Sequence, residues 1–206
     1  MKKRILAYIG FLGAMAAVPA FAQDIPKADP ATVEKYIAAT FTKTPDDWKN
    51  RIAQDETQRL CSQYKNQPPA KDAEKILAAE KATVVLPADG NVMGDWKSGE
   101  KIAQSGFGGR FNDKPGVING GNCYACHQMR PGELSYGTLG PSLLGYGKAR
   151  KFAPEEAKIA YAKIYNAQSV LPCSQMPRFG FHKFLSEQQI KDVVALLFAK
   201  DSPVNK

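Results

Sequence analysis

Histidine is nearly missing from this chain: two of 206 residues, His127 and His182. Any metal bound by one imidazole therefore has a single other imidazole to draw on. Hydrophobic runs are equally scarce. After Val18 no apolar stretch approaches membrane-spanning length, which leaves no further candidate for a transmembrane helix. Strand signals are weak throughout, so a βαβ unit is not expected. No segment repeats another, which removes solenoids and other repeat arrays. Basic residues are neither concentrated in one run nor interleaved with aromatics, and this speaks against nucleic acid as a partner.

What is present begins with an export signal. Lys2, Lys3 and Arg4 precede an apolar stretch from Ile5 to Val18, and Ala20-Phe21-Ala22 forms a small-x-small cleavage site. Residues 1–22 read as a secretory signal peptide, with the mature chain starting at Gln23 and no membrane anchor after cleavage. The alternative is an uncleaved N-terminal anchor. The expected location is a bacterial periplasm. The formal net charge is +8, and the n-region supplies three of those charges. A mildly basic surface suits an anionic substrate or an acidic protein partner.

Four cysteines remain to be placed: Cys61, Cys123, Cys126 and Cys173. In an exported protein free thiols tend to oxidise. Cys123 and Cys126 stand in Cys-Tyr-Ala-Cys-His, the C-x-x-C-H attachment sequence of c-type haem. Thiols at this spacing near the start of a helix can each add to one vinyl group of the porphyrin, and His127 then lies under the iron. The rival is a thioredoxin-type redox pair, which wants a preceding strand. The motif instead follows a Gly- and Asn-rich loop. Cys61 and Cys173 are left as an even pair. The simplest reading joins them in a disulfide; two free thiols, or a Cys173 with a direct functional part, are the alternatives.

Helix signals recur along the chain. Asp29 caps a helix with Pro30 at its first position, and Thr44-Pro45 repeats the pattern for a helix running to about Tyr64. A third helix spans Asp72 to Ala82, and Asp95 caps another that contains Trp96, Ile102 and Ala103. A short helix is expected around Pro154 to Asn166. Ser186 caps the clearest one, with Ile190, Val193, Val194 and Leu197 at i, i+3, i+4 and i+7. The organisation expected is a signal peptide (1–22), an N-terminal helical extension (23–84) and a haem domain (85–206).

The order helix, C-x-x-C-H, Gly140-Pro141 loop, short helix, Met-bearing loop and terminal helix resembles the class I cytochrome c fold, which is mainly α. The resemblance implies that the first and last helices of the domain cross with haem c between them, and that the carbonyl of Pro141 accepts a hydrogen bond from His127. For the position opposite His127 the candidates are Met93, Met129, Met176 and His182. Met129 is too near His127 to reach across the ring. Met93 precedes the first helix of the domain. Met176 stands in a Pro-flanked loop before the last helix, where class I cytochromes keep their distal Met. His182 is the runner-up, and a Cys173 thiolate remains open.

The segments GNCYACHQM, GTLGPSLLGYG, AQSVLPCSQMPRFG and LSEQQIKDVVALL together resemble the SoxX family over about residues 92–200. SoxX proteins are monohaem cytochrome subunits of the periplasmic thiosulfate-oxidising Sox system. The resemblance implies thioether bonds at Cys123 and Cys126 and axial ligands His127 and Met176. It implies a heterodimer with a SoxA-like cytochrome that joins thiosulfate oxidatively to a cysteine of a SoxYZ-like carrier. The chemistry falls to a haem of the partner, so no residue here is catalytic, and the electrons pass on to a small soluble cytochrome c. A free-standing electron carrier is the alternative. Lys148, Arg150, Lys151 and Arg178 read as scattered solvated charge rather than a docking rim.

Overall fold

The computed structural model describes residues 29–110 and 112–206, so the expected signal peptide lies outside the described residues. The chain forms two compact units, Met1–Thr42 and Lys43–Lys206. In the first, α1 (Pro30–Thr40) has the expected start: the Asp29 carboxylate accepts from Thr32 N–H at 3.1 Å.

The second unit opens with α2 (Asp46–Ile52), α3 (Glu56–Gln63) and α4 (Ala70–Lys81). One helix was expected over Pro45 to Tyr64; there are two. Ala53 is extended, and Asp55 begins a new helix through a capping box with Gln58. The box satisfies otherwise orphaned N–H groups, so a restart costs little there. The functional helices follow: α5 (Trp96–Gln104), the short α6 (Tyr146–Ala149), α7 (Pro154–Tyr165) and α8 (Glu187–Phe198). No strand occurs among the described residues.

α8 is the spine of the core. Ile190, Val193, Val194, Leu196, Leu197 and Phe198 are all buried, and burial of each such side chain contributes roughly 1.5–3 kcal/mol. α5 crosses α8 at Gly99, where any Cβ would overlap the Asp192 carbonyl. Asp192 is buried at the crossing, and its Oδ1 accepts from Asp95 N–H (2.9 Å) and Gln188 Nε2 (2.8 Å). This is the class I cytochrome c fold with an N-terminal helical extension. Within the extension, Leu60, Cys61 and Ile76 form a small second core with Cys173.

Candidate haem site

The C-x-x-C-H segment is a single 3₁₀ turn, Cys123–Ala125, rather than the start of a longer helix. Backbone bonds fix it. Gly121 N–H donates to Ile102 O (2.8 Å) and Asn122 N–H to Ser105 O (2.9 Å), tying the turn to the end of α5. Asn119 donates to Phe184 O (2.8 Å), and Gln189 donates back to Asn119 O (2.7 Å), tying it to the start of α8. The two crossed helices thus hold the motif between them.

His127 is set by the strap that follows. Gly140 N–H donates to Cys126 O and Leu143 N–H to Gln128 O, both at 2.8 Å. The strap lays Gly140 flat against the imidazole, where a Cβ would overlap the ring. Nδ1 of His127 is 2.7 Å from Pro141 O. A carbonyl can only accept, so Nδ1 carries the proton and Nε2 keeps its lone pair for a metal.

Cys123 and Cys126 are not disulfide-bonded. Desolvation pushes the Cys123 thiol up to about 12. Redox-active C-x-x-C pairs work in the opposite sense, with a lowered pKa. Cys123 Sγ and Leu185 both border the space beside Gly121. Leu185 also lines an open groove of about 710 Å³ with Tyr161, Tyr165, Phe184 and Ile190 on one side and Asn119, Lys183 and Glu187 among its polar lining; Cys126, His127 and Met176 do not line it. The Tyr161 hydroxyl is buried without a hydrogen-bond partner, and burial pushes it up to about 12, so it stays a neutral donor. A buried donor without an acceptor is costly in a native protein. An acceptor brought in by a bound group removes that cost.

Met176 is half-buried and packs against the main core, as does Cys123. Met129 lies inside that core at 1% exposure, and Met93 packs on its margin. Cys61 and Cys173 form a disulfide, S–S 2.02 Å, across 112 residues. Cys173 N–H also donates to Gln168 Oε1 (3.1 Å). His182 has its ring edge-on to Phe181, and its backbone N–H donates to Arg178 O. Burial first, then the Arg178 and Arg51 charges, hold its pKa below the ordinary imidazole value.

One expectation fails here. Arg178 is not solvated: its side chain is 4% exposed. Nη2 donates to Asp55 Oδ2 (2.5 Å), Nη1 lies 3.5 Å from Glu80 Oε2, and the guanidinium sits over the Phe181 ring. Glu80 is buried in α4 and also accepts from Thr57 Oγ1 and Asn166 Nδ2, each at 2.5 Å. Glu80 carried no signal in the sequence. Arg178 carried a weak one, its place directly after Met176-Pro177.

The fold, the C-x-x-C-H cysteines and the held imidazole define a c-type cytochrome, an electron-transfer protein with covalently bound haem c. Comparison with known proteins agrees: the cytochrome c family matches residues 115–198. An uncharacterized lipoprotein of Aquifex aeolicus (strain VF5) is 40% identical over 161 residues, 77% of this chain and 76% of that protein. The chain belongs to the same family as that lipoprotein, and the cytochrome c domain is the part of it whose chemistry can be read.

Proposed function

We propose that this chain is a periplasmic monohaem cytochrome that accepts electrons within a SoxAX-type complex and relays them to a small soluble cytochrome c. Bound haem supplies a one-electron ferric/ferrous couple. The chain's residues bind and orient it. Cys123 and Cys126 would carry the thioether bonds, and His127 would offer Nε2. The 2.7 Å bond from His127 to Pro141 carries the reading of the proximal side, because it fixes both ring orientation and tautomer. Met176 would hold the iron through its thioether sulfur. Met/His ligation favours the ferrous state and raises the potential, which suits a receiver of electrons.

The Sox assignment rests on the GNCYACHQM and QMPRFG segments as they stand in this sequence. Partners of that reading are a SoxA-like cytochrome, a SoxYZ-like carrier and the soluble acceptor. Co-expression with a SoxA-like protein tests the assignment. Stable co-purification, with this haem reduced when thiosulfate and the carrier are added, is the expected result. A chain that stays alone and exchanges electrons only with soluble cytochromes is a free-standing carrier. Met176→Ala tests the distal ligand: the haem stays attached while the ferric sulfur-to-iron charge-transfer band disappears.

A further inference from the structure

The loop around Met176 is gripped at two points, and both grips lead to the helical extension. At Cys173 it is bonded to Cys61 on α3. At Arg178 it is ion-paired to Asp55, the N-cap of α3, and to Glu80 on α4. Between the grips lie four residues, Ser174 to Pro177. Within them Met176 N–H donates to Ser174 Oγ (3.3 Å). Pro177 has a fixed φ, so one fewer torsion is left to absorb a displacement of Arg178 before it reaches Met176. The guanidinium is almost wholly desolvated, and a buried charge without its partner is unfavourable enough to force movement.

We propose that Asp55 and Glu80 are positioning residues for the distal ligand: through Arg178 they hold the loop that presents Met176, so the extension sets how firmly the thioether stays on the iron. The inference rests on Met176 being that ligand. Nothing in the ion cluster need touch the haem. Its effect is on the equilibrium between a seated and a displaced thioether. Exogenous imidazole reads that equilibrium directly. When it binds, the iron–sulfur bond breaks and an iron–nitrogen bond forms, with no change of oxidation state.

Asp55→Asn is the cleanest variant. It removes the charge facing Arg178 while keeping a residue that caps helices well. Glu80→Gln preserves shape inside the cluster. The holoprotein is titrated with imidazole in the ferric state, and its reduction potential is measured alongside. Both variants should bind imidazole more tightly, by about tenfold for the buried Glu80 and by less for Asp55, whose side chain is 38% exposed, with a weakened charge-transfer band and a lowered potential. Asn205→Ala, which breaks hydrogen bonds to Leu197, Ala199, Gly147 and Lys148 and none to Asp55, Glu80 or Arg178, controls for general loss of stability and should leave imidazole affinity alone. Arg178→Lys should restore part of what Arg178→Gln loses. Wild-type affinity in both Asp55→Asn and Glu80→Gln overturns the proposal. So does an equal shift in Asn205→Ala. Failure of the ligand reading looks different: wild type itself lacks the charge-transfer band and Met176→Ala binds imidazole as wild type does, a result that removes both.

Discussion

At the scale of single residues the proximal side was legible and the distal side only half so. Cys123, Cys126 and His127 are consecutive in a motif whose chemistry fixes their spacing, so a linear reading finds them. The seat of the ring was not visible: Gly140 matters because no side chain fits between the strap and His127, a contact that sequence does not display. Gly140→Ala should therefore displace the imidazole. Holoprotein yield should fall sharply, and whatever matures should show a high-spin component. A normal yield with a wild-type low-spin spectrum would contradict the packing argument.

His182 gives a prediction with a definite sign. The residue is half-buried, and its pKa is lowered by burial, Arg178 and Arg51, against the smaller opposing pull of Asp55 and Glu80. In the unfolded chain the imidazole takes up a proton as pH falls through its ordinary value, while in the folded protein it resists until lower pH. Its contribution is thus present at neutral pH and lost as pH falls. Between about pH 7.5 and about pH 5 the wild type should lose more unfolding free energy than His182→Gln. Equal losses in urea titrations at the two pH values would remove His182 from the acid sensitivity of this fold.

At the scale of elements, caps were a good signal at three helices and failed at one: Thr44 does not cap α2, which starts at Asp46 with Pro45 in the cap position and no side-chain cap bond. Asp29, Asp95 and Ser186 all start helices, because each side chain accepts from N–H groups that the first turn leaves unpaired. The missed feature was the break between α2 and α3. Asp55 looks like one more polar residue in a helical run, and its capping box competes with continuation only once Leu60 and Cys61 have a core to face. The α5–α8 crossing was expected from the order of elements, but its closeness depends on Gly99 lying against the Asp192 carbonyl. Gly99→Ala raises helix propensity and yet should destabilise, since the helices must separate. Overpacking of this kind costs about 1–3 kcal/mol, readable as a lower urea midpoint. A gain in stability would mean that the crossing relaxes without loss.

At the scale of the whole molecule the question is why a cytochrome of this class carries α3 and α4. These helices bury few apolar side chains of their own: Leu60, Cys61 and Ile76, with Tyr64 partly covered. Such a core is too small to stand alone. Two long-range links stand out, the Cys61–Cys173 bond and the polar cluster in which Asp55 and Glu80 meet Arg178 and Asn166. The even cysteine count pointed to the first; the second joins residues scattered along the chain, so only the folded chain reveals it. The covalent link closes a loop with a sequence separation of 112, and in the chain-entropy model a loop of that length stabilises by roughly 4–5 kcal/mol. The double variant Cys61→Ser, Cys173→Ser should therefore unfold at clearly lower urea. Because the Glu80 cluster remains, α3 and α4 should stay docked in native buffer, and their amides should exchange only moderately faster than in the wild type. Exchange of α3 and α4 at the rate of an unfolded peptide would show that the disulfide alone holds the extension. A double variant as stable as the wild type would show that the unfolded chain gains little freedom when the bond is lost.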